Sequence, residues 1–343
     1  MKVLTFVIPA YNSEKFLDKA ILSMLVPEIL EKLEVIVVND GSKDSTAAIA
    51  EKYCAQYPGT VKLISQENRG HGGALNTGIA AAAGKYVKVI DADDWVVSEN
   101  LPEFISQLEN CESDVVLTHF HTVDISNGEV RKWESFPEQF GKTYTMEEIM
   151  ENERDFYRVF ALHGITYRTA FYKAFGIQLS EHVFYEDFEY ATFPCCRAKS
   201  ITPLDLYVYE YRIGDVNQSV ADETKLKRIG HVEIVLNRML EENKYTEDLA
   251  AGGRAYTAMK SSELLLSYFT TVLLVEPDKN KGRIQADRMF EHFWKEFPQA
   301  VGLVERKYHV FYLLSRVHMS KKMWDRIMRS KLYRKLRGER EFS

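Results

Sequence analysis

The sequence predicts an α/β fold: a mostly parallel sheet flanked by helices, with a helical C-terminal region after it. Three observations point there. Apolar, β-branched runs alternate with helical patterns through residues 1–115, a short polar cluster follows each of the first four runs, and from Lys225 onward the pattern is mostly helical. Strands that are apolar on both faces and separated by helices need cover on both sides, which is the situation of a parallel sheet.

The elements follow in order. "VLTFVIP" from Val3 reads as the first strand, with a helix from Ser13 to Leu25. "LEVIVVND" from Leu33 precedes a helix from Ser45 to Tyr57, and "VKLIS" from Val61 precedes one from Gly72 to Ala83. "KYVKVIDADD" from Lys85 is followed by a helix from Ser98 to Glu109, then by the strand "SDVVLTH" from Ser113. Ser126-Asn127-Gly128 marks a turn, and "ITPLDLYVYEYRI" from Ile201 reads as a strand that returns to the sheet.

Composition narrows the function classes. The chain has 343 residues, 45% of them hydrophobic, enough for a sizeable core. Its net charge of -6 gives no general affinity for nucleic acid, although the segment from Lys321 to Ser343 carries nine basic against three acidic residues. Cys54, Cys111, Cys195 and Cys196 show no CxxC spacing and read as reduced thiols of a cytoplasmic protein. "MKVLTFVIPAYN" lacks the features of a signal peptide, and "LLLSYFTTVLLV" from Leu264 is well short of the ~20 residues that span a bilayer.

The polar clusters carry the chemistry. In a parallel sheet, ligands bind beyond the carboxyl ends of the strands, which is where Pro9-Ala10-Tyr11-Asn12, Asn39-Asp40-Gly41-Ser42, Glu67-Asn68-Arg69-Gly70 and Asp91-Ala92-Asp93-Asp94 fall. Three carboxylates within four residues repel one another unless they share a cation. Hard oxygen ligands of this kind suit Mg²⁺ or Mn²⁺ completed by phosphate oxygens; the alternative is an ordinary acidic turn and cap leading into the helix from Ser98. Asp40 is placed either to accept a hydrogen bond from a base or ribose or to stabilise its own turn, and Arg69 to reach a base or phosphate. "ENRGHGGALNTGIAAAAG" has neither GxGxxG nor GxxxxGK[ST]. Its glycines allow close backbone approach at a helix N-terminus, and its alanines allow tight packing of helix on sheet. "FYEDFEY" places Glu186, Asp187 and Glu189 among aromatics, where a carboxylate can serve as a general base or simply start a solvated helix.

In this order the clusters resemble the inverting, bacterial-type family-2 glycosyltransferases of GT-A fold, over about the first 220 residues. "YEYRIGDVNQSV" from Tyr209 is similar to that family's Tyr-Arg segment and the serine-containing loop after it. The resemblance implies transfer of a hexosyl or N-acetylhexosaminyl group from a nucleotide donor, UDP by expectation, to an acceptor hydroxyl in cell-surface polysaccharide or glycoconjugate synthesis. It implies donor contacts at Pro9, Tyr11, Asn12, Asp40, Asn68, Arg69, Asp91 and Ala92, and a divalent metal, Mn²⁺ or Mg²⁺, on Asp93. It further implies a catalytic base at Asp187 oriented by Glu186. Residues 1–220 then form the transferase domain, with 1–115 as its nucleotide-binding half and 116–220 as its acceptor and catalytic-base half; residues 221–343 form the helical remainder. A sugar-nucleotide nucleotidyltransferase and a catalytically silent nucleotide-sugar-binding protein are the alternatives. The first would carry a Gly-rich basic loop where this chain has "PAYNSEKF", and the second has no need of two acidic clusters.

In the tail, Trp324, Met328, Leu332 and Leu336 recur at i, i+4 spacing with Lys and Arg between them. Two readings stay open: a helix packed on the acidic body of the protein, or one lying on an anionic membrane surface.

Overall fold

A computed structural model describes residues 2–214, 222–244 and 249–328. The chain divides into two compact units, the first comprising Met1–Val216 with Lys244–Thr257 and the second Asn217–Asn243 with Ala258–Ser343.

The first unit is built on one nine-stranded sheet. Strands β1 (Leu4–Ala10), β2 (Leu33–Asp40), β3 (Val61–Gln66) and β4 (Tyr86–Val89) are parallel, in the order β3-β2-β1-β4. Every residue of β1 and β2 is buried, as their largely apolar sequences require. The polar exceptions satisfy one another: the Thr5 hydroxyl donates to Glu34 at 2.6 Å, and Glu34 also accepts from Lys62 and from the Ala83 N–H. Helices α1 (Leu17–Met24), α2 (Thr46–Gln56), α3 (Gly70–Ala81) and α4 (Leu101–Asn110) make the crossovers, with a short 3₁₀ turn at Ser98–Asn100 before α4. Small residues let α3 lie close on the sheet; a Cβ on Gly78 would stand 2.3 Å from Val7 Cγ1.

The rest of the sheet is mixed. After the two-residue β5 (Trp95–Val96) come β6 (Val115–Asp124), β7 (Val130–Trp133), β8 (Ile165–Arg168) and β9 (Ile201–Ile213). β8 is antiparallel to both β4 and β6, β6 is parallel to β9, and β5 is antiparallel to β9. β7 forms a hairpin with β6 through the turn read at Ser126-Asn127-Gly128, where Gly128 has a φ of 75°. The β5–β9 pairing matters most, because Trp95 opposite Glu210 and Val96 opposite Tyr209 bring the acidic turn against the end of β9. Helices α5 (Met146–Glu151), α6 (Glu153–Phe156), α7 (Thr169–Ala174) and α8 (Asp187–Thr192) complete this half.

The second unit is helical, from α9 (Asp222–Lys227) and α10 (Ile229–Lys244) through the later part of α11 (Ala251–Thr270) to α12 (Lys279–Glu296), α13 (Pro298–Gly302), α14 (Glu305–Arg316) and α15 (Lys321–Met328). Its core holds Phe290 stacked on Tyr308, with centroids 4.1 Å apart and Phe269 against both. On α15, Trp324 meets the buried Phe311 edge-on, so this part of the tail's apolar stripe covers its own unit, while Met323 and Ile327 are exposed. Leu332 and Leu336 lie outside the described residues.

Candidate active site

The carboxyl ends of β1 and β2 meet the start of α3 around a cavity of about 350 Å³. Pro9, Ala10 and Tyr11 line it from β1, Asp40 from β2, and Asn68, Gly70, His71 and Ala74 from the β3–α3 connection. His182, Val183 and Phe184 close it from the segment before α8. Tyr11 and Phe184 are both about half exposed, at 52% and 44%.

Asp40 is buried at the end of β2. Its Oδ1 accepts from Gln66 Nε2 at 2.7 Å and from the Arg69 N–H at 2.8 Å, while its Oδ2 takes no hydrogen bond among the described residues. Its carbonyl accepts from Asn68 Nδ2 at 3.0 Å, so Asp40 fixes the whole Asn68–Arg69 turn. Asn12, in the left-handed region at φ 49°, ties the first two loops together by accepting from the Lys43 N–H at 2.8 Å. The Arg69 guanidinium pairs with Glu181.

The acidic turn is organised by Tyr209. Its hydroxyl accepts from the Asp91 N–H at 3.1 Å and donates to Asp94 Oδ2 at 2.5 Å, and Asp94 Oδ1 accepts from the Arg212 N–H. Asp94 is therefore spent inside the fold. Burial, with Asp91 and Asp93 nearby, pushes its carboxyl well above the usual range. Burial and Asp91 also raise Asp93, against the Arg212 guanidinium 3.5 Å away.

Two clusters distant in sequence meet at His71. Its Nε2 lies 2.9 Å from Asp91 Oδ1 and its Nδ1 2.5 Å from Glu186 Oε1. Burial opposes charge on the ring, but the two carboxylates outweigh it and raise the His71 pKa well above its ordinary value. Glu186 is buried at the N-cap of α8, and Asp187 is exposed as that helix's first residue. Glu189, in the same acidic cluster, is fully buried and accepts from the Ser180 N–H and hydroxyl, so it holds the preceding segment.

Residues 5–174 match the sequence profile described as "Glycosyl transferase family 2". The chain belongs to glycosyltransferase family 2. This glycosyltransferase is 26% identical to EpsH of Bacillus subtilis (strain 168) over 299 residues, 84% of each chain. It is 36% identical over 129 residues to the succinoglycan biosynthesis protein ExoO of Rhizobium meliloti (strain 1021), which covers 37% of this chain and 36% of that protein. Its fold matches the S. aureus TarS fragment 1–349 in complex with UDP-GlcNAc with a TM-score of 0.64 and 22% identity, over 100% of this chain and 93% of that one.

Of the residues singled out in the sequence, Pro9, Tyr11, Asp40 and Asn68 line this cavity, and His71 joins Asp91 to Glu186 at its side. Asn12 and Arg69 are engaged with neighbouring loops, through Lys43 and Glu181. Ala92 is buried in the acidic turn. The segment 215–220, which holds the serine of the loop after β9, lies outside the described residues. Sequence reasoning missed Tyr209, His182 and Phe184, and it gave His71 no role. An alternating strand such as β9 does signal which residues share a face; nothing local signals that the segment before α8 folds over α3.

The donor set also bears on a metal. Asp91, Asp94 and His163 each present one ligand atom within 4.8 Å of the others, but Asp94 is bonded to Tyr209 and the Arg212 N–H, and Asp91 to His71. Asp93 is the carboxylate whose side chain remains open, at 41% exposure, with only a long contact to Arg212. A partly buried carboxylate raised by its neighbours fits a hard divalent cation.

Proposed function

We propose that this glycosyltransferase moves a hexosyl or N-acetylhexosaminyl group from a UDP-sugar to an acceptor hydroxyl with inversion at the anomeric carbon. The observation that supports this best is the His71 bridge, which sets the acidic turn after β4 and the Glu186–Asp187 pair beside one cavity. In this reading Tyr11 offers a flat face to the uracil, and Asp40 Oδ2 accepts from its ring N–H. Pro9, Asn12, Asn68, Arg69 and Ala92 shape the nucleotide site around them, and Asp91 meets the ribose. Asp93 would hold Mn²⁺ or Mg²⁺, which when bound would supply Lewis-acid neutralisation of the charge that grows on the departing UDP.

Asp187 takes the proton from the acceptor hydroxyl as its oxygen bonds to the anomeric carbon and the bond to UDP breaks. Exposure suits that task, since the acceptor approaches from solvent. Glu186 orients it. Cell-surface polysaccharide or glycoconjugate is the acceptor class, supported by the likeness to ExoO, whose name places it in succinoglycan biosynthesis. An enzyme of that kind works on the cytoplasmic side of the membrane. Among the described residues no helix is long and apolar enough to cross a membrane. The exposed Met323 and Ile327 on α15, next to Lys322 and Arg326 and followed in sequence by a basic run, support peripheral contact with anionic lipid. Turnover of a UDP-sugar panel read as released UDP, with product configuration by NMR, tests the reading. Absence of turnover with every UDP-sugar, or a product of retained configuration, overturns it.

A further inference from the structure

We infer that His71 is a positioning residue of the transfer reaction: with an N–H on both ring nitrogens it ties the donor-side Asp91 to Glu186 and so fixes the carboxylate pair that carries the base. The inference rests on the reading of Asp187 as base and deepens it.

The geometry suits a cationic bridge. Both partners of the ring are carboxylates, and where both are ionised they only accept, so that each ring nitrogen donates. The charged groups that face the ring are Asp91 at the end of β4 and Glu186 at the head of α8. Across Asp91, burial pushes His163 down to about 4, so it brings no competing positive charge. His71 is thus the cation that allows two carboxylates to sit on either side of one ring.

The backbone is built to bring them there. Gly70 has a φ of 76°, and a Cβ on it would stand 2.7 Å from the His182 nitrogen. A Cβ on Gly72 would stand 2.2 Å from the Ser180 carbonyl oxygen and 3.1 Å from Glu186 Cγ. The His182 N–H donates to the Arg69 carbonyl at 3.0 Å, and Arg69 pairs with Glu181. The first turn of α3 is therefore pressed against the segment that leads into Glu186. Within that contact His71 reaches onward to the acidic turn, at Asp91. Its side chain is 33% exposed and lines the cavity, so it stands at the wall of the site and not in the core.

The consequence is a split between binding and turnover. Loss of the bridge leaves Glu186 facing Asp91 without a counter-charge and lets the base drift; a misplacement of ~1 Å is enough for ~10²-fold in rate. The test uses the full chain as wild type, His71→Ala, His71→Gln, Glu186→Gln, Asp187→Asn and the double variant His71→Ala with Glu186→Gln. Steady-state UDP release gives kcat and KM, calorimetry gives the UDP Kd, and ring ¹⁵N spectra at pH 7.5 give the protonation of His71. The expected kcat loss for His71→Ala is ~10²-fold, with UDP Kd within about threefold and the double variant no worse than the poorer single one. His71→Gln, which can donate to one carboxylate, should recover part of the loss. The wild-type ring should be an imidazolium, and Glu186→Gln should make it neutral at a lower pH.

A neutral ring in the wild type, additive losses, or an unchanged kcat with weakened UDP binding would each overturn the bridge. If instead Asp187→Asn keeps its kcat, the base assignment fails. The ring spectra and the coupling between His71 and Glu186 still decide the bridge in that case.

Discussion

Asp40 offers the sharpest test of nucleotide recognition, because the structure separates its two oxygens. Oδ1 is committed to two donors, Gln66 Nε2 and the Arg69 N–H, whereas Oδ2 takes no bond among the described residues and the residue lines the cavity. Asp40→Asn preserves the shape, and its orientation is decided by those inner partners. Both are donors, so the amide oxygen must replace Oδ1 and the NH₂ group must replace Oδ2. The fold keeps its bonds while the cavity exchanges an acceptor for a donor. Uracil presents an N–H at the ring position where cytosine presents a bare nitrogen. A hydrogen bond to a charged group is worth about 1.5–3 kcal/mol, so UDP should bind roughly 10- to 100-fold more weakly to the variant. CDP should gain, since the new NH₂ group donates to its ring nitrogen. Calorimetry with both nucleotides on both proteins measures this, with thermal melts to show that the fold survives. A UDP affinity within twofold of wild type, or an unchanged UDP-to-CDP ratio, would refute the assignment.

Three further outcomes follow from the site and the tail. Asp93→Asn should lose activity and weaken the response to added Mn²⁺ or Mg²⁺, because one carboxylate fewer faces the diphosphate; full activity of that variant in EDTA would exclude a metal at Asp93. Asp187→Asn should lower kcat by ~10²-fold or more while UDP Kd in calorimetry stays near wild type, since the amide keeps the shape but takes no proton. The full chain should co-sediment with anionic vesicles at low salt and release as salt rises. Truncation after Ser320 should abolish that binding, and equal binding by both forms would end the membrane reading.

The parallel half of the sheet was legible because its signal is local. β1 and β2 are buried along their whole length and read as largely apolar runs, so burial wrote itself into adjacent residues. β9 was legible for the same reason, as thirteen residues without a breaker of the ladder except Pro203 near its start. The neighbours of β9 were not legible. Its parallel pairing with β6 and antiparallel pairing with the two-residue β5 depend on contacts far apart in the chain, and a strand of two residues has no periodicity to read. One helix start also moved: the helix read from Ser13 begins at Leu17, after a turn in which the Ser13 carbonyl accepts from the Phe16 and Leu17 N–H groups at 3.0 Å.

At the site, what could be read was the set of residues whose purpose shows in their chemistry, and what could not be read was their mutual arrangement. Three clustered carboxylates repel one another and need a cation, a proton or hydrogen bonds to sit together. The structure divides them: Asp94 turns inward to Tyr209 and Arg212, Asp91 is matched by His71, and Asp93 is left open. None of this division is visible in the string Asp91-Ala92-Asp93-Asp94, because all three partners come from other parts of the chain. His71 shows the limit most clearly. In sequence it is one histidine between glycines, and the glycines were read as room for close backbone approach at a helix N-terminus. In the fold that room is filled by backbone at 180–182, with Ser180 and His182 lying where any side chain on Gly72 or Gly70 would go. Because those glycines admit this second segment, Glu186 comes within reach of the ring. A histidine that is silent by itself thereby joins the acidic turn to the carboxylate pair, and its charge is set by two residues that the sequence had already marked for chemistry.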